Sequence, residues 1–336
     1  MGQCSPGLTN NMPPLPLLER IARAPILCDG AMKTQLMERS FERGLIPERE
    51  MSFSTGYWNV EHPEIVEAVH RDYLEAGAEL ILTNTFKAGV YHVMRLGRAS
   101  SLAAAASESD RLLEAATQIA RRACGNDAWV LADIGSIGQM SEMHGGERSL
   151  LREEFVRQAR VMHDAGADAL IIEYVWEPIE MVLAVEAAKS VADWPVIATP
   201  VFANWSYPDR GDYRTHRVAP EIDSAGVTID EMIRAAVDAG ADVVGAHCGV
   251  LDLADYTEIA GRILESPNRP EHIPVMIQPN GSETARPLDA EQGRSRPEAL
   301  ATWVPRLLDL GVRVLGGCCG TTPQDIRAMA GAASRE

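Results

Sequence analysis

The chain has little that would place it in a membrane or on nucleic acid. Its 336 residues contain no run of about 18 apolar residues, which excludes a helical membrane span. Basic residues are in deficit, with 31 Lys and Arg against 48 Asp and Glu and a formal net charge of −17. So acidic a surface repels a phosphate backbone, and nucleic acid is not expected as a partner. The start, Met1-Gly2-Gln3-Cys4-Ser5-Pro6, lacks the basic and apolar stretches of a signal peptide. Pro6 stands where a myristoylation motif wants Ser or Thr. A cytoplasmic location is the expectation. Cysteines are few: Cys4, Cys28, Cys124, Cys248, Cys318 and Cys319. In a chain this large without a leader they read as reduced thiols or metal ligands, not as a disulfide framework. No Gly-x-Gly-x-x-Gly follows the first apolar run, which counts against a dinucleotide-binding sheet.

What is present is ordinary globular composition, 46% hydrophobic and 24% charged. Residues 1–16 carry Pro6, Pro13, Pro14 and Pro16 without periodicity and read as a tail. From residue 17 to 336 one phrase recurs: Glu75-Ala-Gly-Ala-Glu-Leu-Ile-Leu-Thr83, Asp164-Ala-Gly-Ala-Asp-Ala-Leu-Ile-Ile-Glu173, Asp238-Ala-Gly-Ala-Asp-Val-Val-Gly-Ala-His-Cys248 and, more loosely, Asp309-Leu-Gly-Val-Arg-Val-Leu-Gly-Gly-Cys-Cys319. Each reads as a helix end, a left-handed glycine cap and a short apolar strand covered on both faces. Further short apolar runs lie at 25–28, 129–132, 195–198 and 273–277. Helical patterns fall at 62–76, 101–123, 151–165, 177–190, 229–239, 256–264, 297–310 and 323–333. Eight strands alternating with helices predict a single-domain α/β fold, a closed (β/α)8 TIM barrel, with an open doubly wound sheet as the alternative.

Such a barrel does its chemistry at the C-terminal ends of its strands. Those ends carry Asp29, Thr83, Asp133, Glu173, Thr199, His247-Cys248, Gln278 and Cys318-Cys319. Three cysteines fall on two strand ends. Three thiolates suit Zn²⁺, and three protein ligands with an open fourth position are the pattern of a catalytic zinc site. Inert buried thiols and redox chemistry stay open beside that reading. A vicinal disulfide between Cys318 and Cys319 would be strained, since adjacent Cα atoms are about 3.8 Å apart and disulfides want about 4.4 Å or more. Asp29 could bind an amine or cap a helix. Glu173, ending an apolar strand, wants a cation or donors. His247 reads as a hydrogen-bonded neighbour of the thiols more than as a fourth ligand. Cys28 reads as a core thiol, and the remaining histidines show no ligand spacing.

Three stretches, 39–61, 134–150 and 202–228, are too long or too polar for simple connections. They carry Tyr57, Trp58, Trp205, Tyr207 and Tyr213. The first four are candidates to hold a cation by cation–π contact, with plain loop packing as the other reading.

The residues Asp29-Gly30-Ala31-Met32, Glu61-His62-Pro63, Thr83-Asn84-Thr85-Phe86, Gly135-Ser136, Glu173, Gly245-x-x-Cys248 and Gly316-Gly-Cys-Cys-Gly-Thr-Thr-Pro323 together resemble the zinc-dependent homocysteine S-methyltransferases. That family includes betaine–homocysteine and S-methylmethionine–homocysteine methyltransferases and the homocysteine module of cobalamin-dependent methionine synthase. The resemblance covers roughly residues 18–333. It implies a (β/α)8 barrel, Cys248, Cys318 and Cys319 as zinc ligands, and Asp29, Gly30, Glu173 and Ser136 around the amino-acid end of homocysteine. Its reaction moves a methyl group from a small sulfonium or quaternary ammonium donor to the homocysteine thiolate, giving methionine. A separate corrinoid or folate methyl carrier, or a non-catalytic zinc- and thiol-binding role, is the alternative. Two positions depart from the family: His247 replaces the usual Asn, and Lys87 stands where betaine users carry an aromatic. A lysine there repels a quaternary ammonium. The sequence leaves the donor, and whether the chain forms a homo-oligomer, unassigned.

Overall fold

The computed structural model describes residues 15–47, 55–137, 147–204, 213–215, 226–281 and 295–334. Eight parallel strands form one sheet: β1 (Ile26–Leu27), β2 (Leu80–Leu82), β3 (Trp129–Gly135), β4 (Ala169–Glu173), β5 (Val196–Thr199), β9 (Val243–His247), β10 (Val275–Gln278) and β11 (Val314–Leu315). Their spatial order is β1-β11-β10-β9-β5-β4-β3-β2. The ring closes between β1 and β2 through a parallel bridge of Cys28 with Leu80. There Asp29 N donates to Leu80 O at 2.9 Å and Glu79 N to Leu27 O at 2.8 Å. This is the (β/α)8 barrel that the alternation of strands and helices predicts.

The recurring phrase does what its residues suggest. Gly77, Gly166, Gly240 and Gly311 sit at φ between +101° and +107°, a left-handed conformation costly for any residue with a Cβ. Each ends a helix and turns the chain into a strand. Helix starts are fixed by reciprocal side-chain caps at Thr228, Asp252, Ser295 and Thr322.

Side-chain parity then builds the mouth. Alternate residues of a strand share a face. The inward set is one apolar cluster containing Ile26, Leu80, Trp129, Leu131, Ala169, Ile171, Ile197, Val243, Met276 and Val314. Further along, the same faces carry Asp133, Glu173, Thr199 and Gln278, one inward position on, and His247, two inward positions past Val243, all buried. An apolar plug thus ends in a polar floor.

The long stretches hold more structure than their sequence suggests. A helix runs over Met32–Glu42, reaching into the 39–61 stretch, and short helical turns occupy Thr55–Tyr57 and Trp58–Glu61. Within 202–228, β6 (Ala203–Asn204), β7 (Tyr213–Thr215) and β8 (Val227–Thr228) form a small antiparallel sheet outside the barrel. Trp205 and Tyr207 lie outside the described residues, as does most of the 1–16 tail.

Candidate active site

The thiols converge. Cys319 Sγ lies 4.0 Å from Cys248 Sγ and 3.7 Å from Cys318 Sγ, and all three sulfurs fall within 4.8 Å of one another. All three are free thiols. A tetrahedral ion with metal–sulfur bonds of about 2.3 Å spaces its sulfurs about 3.8 Å apart, so this triangle is the face of such a tetrahedron. Cys248 is buried, Cys318 half-buried and Cys319 open to solvent. Hydrogen bonds from Cys248 and Cys318, helped by His247 and Lys33, hold the Cys319 thiol well below the usual range. Against a lowering hydrogen bond with Cys318, the bond with Cys319 and burial push the Cys248 thiol up, and burial does the same for Cys318, so the cluster favours a single thiolate, on Cys319.

None of the three cysteines lies within a strand as assigned. Cys248, one residue past β9, takes φ +57°, a conformation of sparse population for a side chain with a Cβ. Its neighbours hold it there. Cys248 N donates to Gln278 O at 3.0 Å, and Cys248 O accepts from Tyr256 Oη at 2.8 Å. Tyr256 Oη also accepts from Asn280 N at 2.9 Å, and Asn280 Nδ2 donates to Gly249 O at 2.9 Å. Cys318 is fixed through its N–H to Pro279 O at 2.9 Å, and Cys319 O accepts from Gly281 N at 2.7 Å.

Thr321 joins this rim to the first strand. Its Oγ1 donates to Cys318 O at 2.6 Å and accepts from Ala31 N at 3.1 Å. Tyr73 Oη adds a bond to Thr321 O at 3.0 Å. A Cβ on Gly30 or Gly317 would come within 2.6 Å or 2.3 Å of Thr321 Oγ1, so neither position has room for a side chain.

The opposite side of the mouth is acidic. Asp29 is buried, with Oδ2 accepting from Leu82 N at 3.0 Å. Burial, with some help from Glu173, raises its carboxyl well above the usual range. Glu173 Oε2 lies 2.8 Å from His247 Nδ1 across β5. Neither atom has an aligned hydrogen bond, so the contact is electrostatic and the ring is off the line of the carboxylate. His247 is not one of the three clustered ligands, and among the described residues its Nδ1 makes no hydrogen bond, so the hydrogen-bonded histidine expected from sequence is not found at that atom. Cys28 is fully buried in the apolar plug, as a core thiol should be.

The other residues named from sequence fall at the edges. Ser136 Oγ donates to Glu180 Oε1 and Oε2 at 3.0 and 2.9 Å. Tyr57 carries the Arg98 guanidinium 4.5 Å above its ring, and Trp58 Nε1 donates to Ser40 Oγ at 2.8 Å. The Thr83-Asn84-Thr85 motif is scaffolding: Asn84 Nδ2 donates to Thr55 O and Asn59 Oδ1, tying the 55–61 segment to the end of β2.

Sequence reasoning missed Tyr174, Tyr256, Thr321 and Lys33. Tyr174 takes φ +59°, and its ring meets Phe86 and Trp176 edge-on at 6.0 and 5.1 Å. Burial, then the charges of Cys248, Cys319 and Cys318, push its hydroxyl up to about 12. Lys33 and Lys87 have their pKa values lowered, mainly by burial, with Cys319 opposing. An aromatic directly after the lone Glu173 was the available signal for Tyr174. Thr321 stood in the Gly-Thr-Thr-Pro run without an evident role.

A parallel (β/α)8 barrel with three convergent thiols at its C-terminal mouth, facing buried carboxylates, defines a barrel enzyme able to hold a thiophilic metal. The family model of homocysteine S-methyltransferase matches residues 26–333. The chain belongs to the homocysteine S-methyltransferase family. It is 26% identical over 328 residues to methionine synthase of Mycobacterium leprae (strain TN), covering 95% of this chain and 25% of that protein. It is 28% identical over 336 residues to betaine–homocysteine S-methyltransferase 1 of Bos taurus, covering 94% and 74%. The chain thus spans about a quarter of the length of the methionine synthases it matches. The metallated form of the homocysteine methyltransferase MmuM from Escherichia coli aligns with a TM-score of 0.71 and 21% identity, covering 94% of this chain and 99% of that one. At that identity the likeness speaks for the fold.

Proposed function

We propose that this protein transfers a methyl group from a small methyl donor to the thiolate of L-homocysteine, giving methionine, at a zinc ion held by Cys248, Cys318 and Cys319. The observation that carries the reading is the sulfur triangle, with edges of 3.7 and 4.0 Å that suit three corners of a zinc–thiolate tetrahedron. When bound, the ion supplies the Lewis acidity that keeps a coordinated thiol ionised at neutral pH. The protein's own residues do the rest. Asp29 and Glu173 receive the acceptor's ammonium, Gly30 leaves room for its backbone, and Ser136 borders that end. The rings of Phe86 and Tyr174 meet edge-on at 6.0 Å, and this pair is assigned to screening the reacting sulfur from water. Of the aromatics considered for donor contacts, Tyr57 already has its ring face against Arg98 and Trp58 is tied to Ser40, which leaves Trp205 and Tyr207, outside the described residues, as the donor candidates. A sulfonium or quaternary ammonium donor leaves as a neutral molecule when its methyl carbon is attacked in line, so positioning supplies most of the catalysis. Lys87 beside the cluster disfavours a donor whose only charge is positive.

One observation favours a second reading. Because the chain corresponds to a quarter of the methionine synthases, the methyl group could arrive on a separate corrinoid or folate carrier. Among the described residues no helix is long and apolar enough to cross a membrane, and we place the enzyme in the cytoplasm. The test is metal analysis of the purified chain together with a panel of donors assayed by methionine formation from homocysteine. About one zinc per chain and turnover of at least one donor are expected. Absence of metal after zinc-replete purification contradicts the site. Zinc without turnover of any small donor, but with turnover from a methylated carrier, favours the second reading.

A further inference from the structure

Asp133 is a buried carboxyl at the mouth to which nothing above gives work. It is 4% exposed, and its Oδ1 has no hydrogen-bond partner among the described residues. Its main chain is clamped: Asp133 N donates to Thr83 Oγ1 at 3.0 Å, and Asp133 O accepts from Thr85 Oγ1 at 2.5 Å. The strand register fixes where the side chain goes. Asp133 pairs with Ile171 and Gly135 with Glu173, so Asp133 faces into the barrel one inward position below the level of Glu173. Leu131 and Ile171, on the same face, belong to the apolar plug and offer no donor. Phe86 closes the space over Gly135, where a Cβ would come within 2.4 Å of its ring. Burial, then the negative charges of Glu173 and Asp29, make this carboxyl costly to ionise without a cation. An orphaned buried acceptor is destabilising unless a ligand brings the missing donor. A primary ammonium carries three N–H donors, and the subsite presents three carboxyl groups, Asp29, Asp133 and Glu173.

We propose that Asp133 is a specificity-determining residue of the acceptor subsite, receiving one N–H of the primary ammonium of a thiol amino acid while Asp29 and Glu173 receive the others. The barrel then selects thiols that carry an amine. The proposal rests on the reading of homocysteine as acceptor.

The experiment is calorimetric titration of the zinc-loaded wild type and Asp133→Asn with L-homocysteine and with the amine-free thiol 4-mercaptobutyrate, alongside methionine-forming kinetics. The variant should bind homocysteine about ten-fold more weakly, the effect of one hydrogen bond to a charged group. Its affinity for 4-mercaptobutyrate should be unchanged, and KM for homocysteine should rise while kcat at saturation is kept. Unchanged homocysteine affinity in a folded, zinc-containing variant overturns the proposal. So does an equal loss for both thiols, which a merely structural role would give. If Asp133→Asn does not fold, Asp133→Ser carries the same comparison. Asp133-dependent selection of homocysteine without methionine formation from any donor or carrier would support this assignment and contradict the methyl-transfer reading.

Discussion

The two sides of the barrel mouth are built on different principles. The carboxylate side is regular: Glu173 is the terminal inward residue of β4 and Asp133 the last inward side chain of β3 before Gly135, both aimed by strand parity alone. The sulfur side is irregular: Cys248 sits on strained backbone, and Cys318 and Cys319 follow two glycines with no room for side chains, Gly316 against Cys28 and Gly317 against Thr321. These carboxyls therefore inherit the rigidity of the sheet. The thiols depend on a few bonds made by Tyr256, Asn280 and Thr321. Three sulfurs cannot meet at bonding range from regular strands about 4.8 Å apart, so the chain leaves strand geometry to bring them together.

Variants can break that contrast, beginning with the most damaging. Cys318→Ala should abolish both bound zinc and methyl transfer, measured by elemental analysis and methionine formation, while the thermal unfolding midpoint stays close to that of the metal-free wild type. Glu173→Gln should leave zinc at one per chain yet raise the homocysteine KM by about ten- to a hundred-fold; loss of metal instead would merge the two sides. Thr321→Val, at the joint between them, removes bonds to Ala31 and Cys318 and should cost about 1–3 kcal/mol in urea unfolding. It should weaken both zinc and homocysteine, which no variant confined to one side does. Tyr256→Phe loses the hydroxyl that holds the Cys248 carbonyl and should weaken zinc about ten-fold in chelator competition, sparing homocysteine affinity once zinc is saturating.

The smallest effect at neutral pH is expected away from both sides. His70 is buried with neither ring nitrogen partnered, and burial lowers its pKa to about 4. It is neutral in the fold, whereas the unfolded chain takes up its proton near pH 6.5. Its contribution is fully present above that pH and is lost as pH falls toward 4, by about 3 kcal/mol. His70→Leu should therefore change stability little at pH 7.5 and flatten its decline on the acid side, as read by urea unfolding across pH.

The barrel was legible because its signals are local. A glycine cap followed by a short apolar run announces each helix-to-strand turn, and the polar residue ending each run marks the mouth. Cys248, Cys318 and Cys319 were legible for the same reason, as strand-end thiols in glycine-rich surroundings. Contacts between distant parts of the chain were not. Nothing in the sequence sets His247 against Glu173, or makes Thr321 the link between the first and last strands. The Met32–Glu42 helix was not read from the sequence: its mixed polar residues leave no clear apolar stripe, and its last turn falls in the polar stretch from residue 39 onward. The small sheet of β6, β7 and β8 uses strands of two or three residues, too short to leave a pattern. Tyr57 and Trp58 looked like free aromatics, but the fold gives them Arg98 and Ser40 as partners.

The most direct test is X-ray absorption at the metal edge of the purified protein, before and after L-homocysteine. Zinc with three sulfur neighbours near 2.3 Å and one lighter atom, changing to four sulfurs on addition of the amino acid, is the outcome expected. Fewer than three sulfurs, or a coordination sphere indifferent to homocysteine, would contradict a cysteine-held ion that receives the substrate thiol.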